Sequence, residues 1–453
     1  MQKKDAEKCN MLSPDDSDDV VAVELNDVDR HVFEHGVGRF NRLGWKRLTI
    51  VLLVEAVALG CLSLPSTFGA LGMVPGTLCC VGLGCIAVYT SHTIGRVKLK
   101  FPEVAHYADV GQLMWGRAGY EVIYVMLTLM LLFILGSHCL TGTIAFVQIT
   151  KSDICSIVFT VVSGIILLLL AIPPTFTEVA ILGYIDFASI VLAVGITIIG
   201  TGVRRSQVST EWSAWPREDL TFTEAFVAAS NIVFAYSFAI CQFSFMDEMH
   251  TPKDYVKSIW VLGILEILIY TLTGSLVYVF VGKDVKSPAL LSAGDLLSRI
   301  AFGVALPVVY ISGSINTTVL ARMIHGRLYR NSEIRFINTR MGWITWLSLI
   351  TIITVIAFII SEIIPFFPDL LSICSALFIS GFTFYFPALM WFLLLREGKW
   401  NTAYNIFYGV VNACIFAIGV ITLGCGSYAS VQDIIQNYQT GAVRGVFACS
   451  TPA

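Results

Sequence analysis

Glu55-Ala-Val-Ala-Leu-Gly-Cys-Leu-Ser-Leu-Pro65 occupies the middle of the first long apolar segment of a 453-residue chain. A helix that crosses a bilayer needs about 20 mostly apolar residues, and a proline inside it removes a backbone donor and crowds the preceding turn. Gly60 and Pro65 fall at the depth of the membrane centre. In hydrocarbon every freed N–H or C=O must find a partner, so a break at that depth is tolerated only where protein or a water-filled cavity supplies one. The stretch reads in two ways: as an interrupted span that forms a binding site, or as a Gly/Pro kink in a packing helix, both residues being commoner in membrane helices than in soluble ones. In the first reading the ligand is a small zwitterion. Half-helix ends present a positive dipole end to an anion, while unwound carbonyls face an ammonium, and an α-amino acid carries both groups.

Composition fixes the setting. The chain is 56% hydrophobic and 13% charged, which excludes an ordinary soluble domain of this size. Eleven apolar runs are long enough to cross a membrane: 48–72, 74–95, 119–148, 154–172, 179–202, 224–247, 258–281, 297–323, 343–362, 367–395 and 404–426. The expected fold is therefore an all-α multi-pass membrane protein with about eleven transmembrane helices. An odd number puts the termini on opposite sides. Lys and Arg gather in the first 47 residues, in the loops around 96–117, 253–257 and 322–340, and at Arg396 and Lys399, so the N-terminus is cytoplasmic by the positive-inside rule. Most of the twelve cysteines lie in apolar segments and read as small packing residues, whereas Cys425 and Cys449 have the option of pairing outside. The polar first 47 residues hold no cleavable signal peptide. Residues 1–44, with Asp15, Asp16, Asp18 and Asp19 in one run, read as a disordered acidic cytoplasmic tail open to a regulatory partner. Residues 427–453 read as an extracytoplasmic tail.

The loop after span 2 runs from Phe101 to Tyr120 and places Pro102, Tyr107, Asp109, Gly111, Gly116 and Gly119 in a fixed order. Span 3 carries Gly136-Ser-His-Cys139. Span 6 carries Phe234-Ala-Tyr-Ser237 and closes on Asp247-Glu-Met-His-Thr-Pro-Lys-Asp-Tyr-Val-Lys257. In this order, over residues 45–426, these motifs resemble the amino acid/auxin permease family, and the span 3 motif is similar to that of its fungal neutral amino acid permeases. The resemblance implies the inverted-repeat fold of the bacterial leucine transporter: spans 1–5 (48–202) and spans 6–10 (224–395) as two related halves, with span 11 (404–426) outside the repeat. Span 6 has its own polar interruption at Ser230, Asn231, Tyr236 and Ser237, at a depth matching the break in span 1.

The resemblance also points to substrate-binding residues. Leu59, Gly60, Cys61, Leu62 and Ser63 of span 1 would hold a carboxylate on backbone N–H groups. Phe234, Ala235, Tyr236 and Ser237 of span 6 would receive the ammonium, and Phe133 and Ser137 of span 3 would help wall the side-chain pocket. For any one of these aromatics the alternative is lipid-facing or packing filler. Coupling needs a charge that moves with the substrate. Ser314, Thr317 and Thr318 put three hydroxyls on one helical face, which with the carbonyls of Ala56 and Val57 would suit a sodium ion, or else the hydroxyls bond their own helix. A proton needs a titratable group, and ionisable residues inside spans are functional candidates by default. These are Glu55, which comes first by its nearness to the break, His138, Asp186 and Glu266.

The expected function is a secondary active transporter of neutral amino acids, probing both sides by alternating access and coupled to a proton, with sodium coupling or an amino-acid-sensing receptor on the same fold as alternatives. No Walker loop, metal-ligand spacing or nucleophile elbow occurs, which excludes an ATP-driven pump and speaks against an enzyme. The expected partners are a neutral amino acid and the lipid bilayer, with no nucleic acid and no cofactor beyond the coupling ion. The expected home is the plasma membrane, with the vacuolar membrane as the rival.

Overall fold

The computed structural model describes residues 44–174, 176–205, 211–247, 249–329, 332, 339–441 and 445–449, without side-chain detail at 51, 54, 55, 58 and 176–182. The acidic leader up to residue 43 and the Glu55 side chain lie outside the described residues. The regular elements among the described residues are helices joined by turns and loops. Eight helices are long and apolar enough to cross a membrane, and three shorter apolar ones complete a set of eleven. In chain order they are α1 (Trp45–Leu71), α2 (Met73–Lys100), α3 (Tyr107–Thr150), α4 (Ser156–Leu170) and α5 (Phe176–Arg205). Span 6 consists of two pieces, α6 (Phe222–Ala235) and the short α7 (Gln242–Asp247). Then come α8 (Tyr255–Val281), α9 (Asp295–Leu328), α10 (Arg340–Ile363), α11 (Phe367–Leu395) and α12 (Ala403–Gln439).

The helices are inside-out by the standards of a water-soluble protein. On α5, Asp186, Thr197 and Thr201 face inward, while Leu192 and Ile199 are more than half exposed. With hydrocarbon as the outer solvent, apolar residues lose nothing by facing out, and hydroxyls and carboxyls must find shelter inside.

One sequence expectation is corrected by the geometry of α1. The helix runs without interruption through Gly60 and Pro65, so span 1 is not broken there. The hydroxyls around the proline bond the backbone: Ser63 Oγ donates to the Gly60 carbonyl (2.9 Å), Ser66 Oγ to that of Ser63 (2.7 Å) and Thr67 Oγ1 to that of Leu64 (2.6 Å). None of them reaches the Cys61 carbonyl, the one that Pro65 leaves without its i−4 donor. Gly60 has a different task. A Cβ built on it would lie 2.6 Å from the Ala235 Cα, so glycine here lets α1 approach the end of α6 at backbone distance.

The break in span 6 is real. Thr221 and Glu224 form a reciprocal capping box that starts α6. The helix stops at Ala235, and Tyr236–Cys241 continues as turns before α7 begins. α7 is then tied to α2. Ser91 Oγ donates to Gln242 Oε1 (2.5 Å) and Gln242 Nε2 returns a bond to the Ser91 carbonyl (3.0 Å). Lys98, buried, donates to Asp247 Oδ1 (2.6 Å) and to the Pro102 carbonyl (2.9 Å).

The cysteine pairing is also corrected. Cys449 bonds to Cys155, the residue before α4, and Cys425 is free. Cys425 sits inside the helical turn Thr422–Gly426 of α12. The residues after 426 begin as a continuation of α12, and Tyr438 Oη donates to the Ile363 carbonyl (2.6 Å) at the start of the α10–α11 turn.

α3 is two helices merged across Trp115–Gly116, and Gly116 has φ 65° and ψ −152°, a region open essentially to glycine alone. The piece before it folds back so closely that a Cβ on Gly111 would meet the Gly119 carbonyl oxygen at 2.5 Å. Replacing Gly116 by Ala should cost about 1–3 kcal/mol of stability, read as a lower thermal unfolding midpoint in detergent. Gly82→Ala, in an open helical position of α2, should leave the midpoint unchanged or slightly raised.

Candidate functional site

The site grows out of the α1–α6 crossing. Because α6 ends at Ala235, its last carbonyls have no following turn to bond to. The Tyr236 N–H turns back to the Val233 carbonyl (3.2 Å), and the Ile240 N–H to that of Ser237 (3.2 Å). At the same level Tyr270 of α8 sends its hydroxyl between two helices, 2.8 Å from the Ala56 carbonyl and 3.0 Å from that of Ala235. Tyr236 packs its ring edge-on against Tyr270 with centroids 5.2 Å apart, and its hydroxyl lies 3.4 Å from Cys80 Sγ of α2.

A cavity of about 20 Å³ lies at the crossing, room for about one water molecule. Its walls come from four elements: Ala56, Leu59 and Gly60 of α1; Met130, Leu131, Ile134 and His138 of α3; Phe234, Ser237 and Ile240 around the break; and Asn316 of α9. Among the described side chains no Lys, Arg, Asp or Glu lines it. The His138 ring is hydrogen-bonded to the Val309 backbone, while its Nδ1 has no partner among the described residues.

Leu59, Gly60, Phe234 and Ser237 from the sequence reading meet at this cavity, and so do Ala56 and His138. Ala235 stands at its edge against Gly60. Tyr236, Cys61, Leu62, Ser63 and Val57 are buried but turn elsewhere, with Cys61 hydrogen-bonded to Thr273. Phe133 and Ser137 occupy the neighbouring stripe of α3. Phe133 packs on Phe378 of α11 with centroids 5.7 Å apart, and Ser137 Oγ donates to the Phe133 carbonyl. The stripe that faces the cavity is Met130, Ile134 and His138, at helical spacing of four residues. Asn316 went unrecognised because its sequence context reads as a glycosylation motif, and Tyr270 because a lone tyrosine in an apolar span gives no signal.

Each of the three α9 hydroxyls donates to its own helix: Ser314 to the Ile311 carbonyl (2.7 Å), Thr317 to Gly313 (2.9 Å) and Thr318 to Ser314 (2.9 Å). Of the buried carboxyls, Asp186 on α5 and Glu266 on α8 have no hydrogen-bond partner for either oxygen among the described residues. Glu266 sits one helical turn before Tyr270, on the same face, and within electrostatic reach of Tyr236.

The two ends of the bundle differ. At the end that carries the 101–106 loop, a cavity of about 560 Å³ opens between that loop, α3 and α9, lined by His106, Asp109, Arg117, Tyr124 and Arg327 among others. At the opposite end residues 213 and 214 accept from the N–H groups of Met73 and Val74, and a Cβ on Gly72 would meet the Trp215 carbonyl at 2.5 Å, so this segment lies tightly over the α1–α2 turn.

Solved structures with the same fold include Mhp1, a nucleobase-cation-symport-1 family transporter in a closed conformation with bromovinylhydantoin bound. It has a TM-score of 0.55 and 12% identity, over 88% of this chain and 93% of that one. MhsT in complex with L-phenylalanine matches with a TM-score of 0.54 and 14% identity, over 84% and 98%. Both have the leucine-transporter fold expected from the motifs. In sequence, the chain is 58% identical over 424 residues to the N amino acid transport system protein of Neurospora crassa, covering 92% of this chain and 90% of that protein. Residues 41–432 match the model for transmembrane amino acid transporter proteins, and the chain belongs to that family.

Proposed function

We propose that this protein is a secondary active transporter that carries neutral amino acids across the plasma membrane by alternating access, together with a proton. The observation that carries the reading is the interrupted span 6, facing Gly60 of α1 across a cavity walled by uncharged and mostly apolar side chains. Main-chain groups at the break supply what a zwitterion's two charges need, and the apolar wall leaves nothing to pair with a charged side chain. The relative in Neurospora crassa is named for amino acid transport, and its 58% identity supports carrying that activity over.

Glu266 is the group we assign to the proton, ahead of the sequence favourite Glu55. It is fully buried, neither oxygen has a partner among the described residues, and it stands one turn from the tyrosine that bridges α1 to the break. A carboxyl enclosed this way is far cheaper to bury neutral than charged. It would take a proton where the site faces the acidic side and lose it where the site opens to water on the other. The wide polar cavity at the Lys/Arg-rich end, with the opposite end covered, fits a cytoplasm-facing arrangement. The Cys155–Cys449 disulfide at the opposite end fits an oxidising exterior.

Purified protein in proteoliposomes, given an amino acid panel, should accumulate neutral amino acids under an inward proton gradient, with lysine and glutamate excluded. Accumulation driven by a sodium gradient alone would overturn the coupling. Glu266→Gln should lose gradient-driven accumulation yet retain counterflow exchange. If its uptake still follows the proton gradient, the role passes to His138 or Asp186. Asn316→Leu removes a polar wall of the cavity and should raise the KM for uptake about tenfold, the scale of one hydrogen bond to substrate, with expression and thermal midpoint unchanged.

A further inference from the structure

Two main-chain carbonyls from different helices converge on one hydroxyl at the centre of this molecule. Ala56 lies inside the continuous α1, so its carbonyl has one lone pair for its own helix and a second to spare. Ala235 is the last residue of α6, and its carbonyl has no helical donor ahead of it. Both oxygens point at Tyr270 Oη, at 2.8 and 3.0 Å. A phenol has a single proton to give, so it can serve only one carbonyl fully at a time. Two convergent carbonyl dipoles are the kind of oxygen cluster that ordinarily gathers a hard cation. The titratable groups facing the hydroxyl are Glu266 on its own helix, Cys61 of α1, Tyr236 of the interrupted segment and Cys80 of α2. All are acids or neutral, and none supplies positive charge. The phenolic proton is thus the positive pole of the cluster.

We propose that the Tyr270 hydroxyl stands, as a fixed part of the chain, where a monovalent cation would otherwise join α1 to the broken end of α6. Tyr270 is a positioning residue: it acts on the substrate through the two carbonyls whose separation it sets. The inference rests on reading the α1–α6 crossing as the transport site, and it adds that the crossing is held by a covalently attached proton donor. It follows that removing the hydroxyl and the ring together creates a cation site that the wild type lacks.

The test uses the full chain in detergent, with sodium, lithium or choline chloride at equal ionic strength, and reads the thermal unfolding midpoint alongside equilibrium binding of a neutral amino acid. Tyr270→Ser leaves space for a cation with its water ligands against the two carbonyls. Its midpoint should fall in choline and recover in sodium or lithium, and its amino acid affinity should be about tenfold weaker in choline and restored by the same cations. Tyr270→Phe keeps the ring against Tyr236 and strands the carbonyls, so it should be destabilised in every salt with no cation restoring it. The wild type should be indifferent to the choice of cation. The proposal is overturned if Tyr270→Ser shows no cation response, if the wild type responds as strongly as Tyr270→Ser, or if Tyr270→Phe is as stable as the wild type. This last comparison decides the matter even where Tyr270→Ser does not yield folded protein. Wild-type protein that accumulates no amino acid under any gradient would sink the transport reading alone, because the midpoint responses do not depend on transport.

Discussion

The obligation of every backbone polar group to be bonded inside lipid shapes this molecule more than any other constraint. Ten of its spans meet it in the ordinary way, as helix. Span 6 does not, and its six-residue gap between Ala235 and Gln242 survives because other parts of the chain have been brought to it. Gly60 removes the side chain that would hold α1 away. Tyr270 reaches across from α8 to the carbonyl at the helix end. A gap so closely attended is poised to exchange its internal partners for those of a ligand, whereas a gap that lipid could reach would simply unfold the span.

The asymmetry between α1 and span 6 bears on how such a site works. α1 stays continuous through its proline, so this helix offers the site an unbroken wall with one glycine-sized notch. The polar atoms that can change partners are therefore concentrated on the span 6 side. The amino acid's charged groups would meet main chain from that side, and its side chain would meet Met130, Ile134 and Ile240. On the proposed reading, discrimination among neutral substrates would depend on the size and shape of an apolar wall, where each added methylene is worth only about 1–3 kcal/mol. Exclusion of charged side chains would be much stronger, because burying an unpaired charge costs far more.

Much of the fold was legible in the sequence because length and hydropathy are what membrane insertion itself reads. The apolar runs fell within a few residues of the observed helices for most spans, and the interruption that begins at Tyr236 was visible at Tyr236 and Ser237, whereas Ser230, Asn231, Phe234 and Ala235, read with it, stay within α6. Gly60-to-Pro65 misled for a physical reason: glycine and proline mark a departure from straightforward helix packing, and the sequence does not say whether the chain breaks there or, as α1 does, stays helical through both. The face of α3 was a matter of one residue in register, since Phe133 and Ile134 are adjacent in sequence and about 100° apart around the helix. Cys155 was hidden at the edge of an apolar run, so its pairing with Cys449 across nearly three hundred residues had no local sign. Tyr270 had none either, because a phenol in an apolar span looks like packing until its hydroxyl is seen between two helices.

How the break can move follows from what is tied to what. α7 is bound to α2 through Gln242 with Ser91 and Asp247 with Lys98, and to the α2–α3 loop through Ser244, whose hydroxyl lies 3.0 Å from His106 Nδ1. The short α7 therefore travels with α2. α6, in contrast, meets α1 at backbone distance through Gly60 and Ala235. Residues 236–241, whose main chain closes in short turns between α6 and α7, are the stretch of span 6 that belongs to neither piece. A second joint lies at Gly116, where the piece of α3 ahead of it contacts α7 through Tyr107 and Phe243, and the rest of α3 runs on to wall the central cavity. Under the proposed alternating access, closing the wide cavity at the Lys/Arg-rich end would swing α7, α2 and the first turns of α3 as one body about these two joints. The α1–α6 crossing can stay intact while they do so, which is the condition for a site that must hold its substrate while the route to it changes.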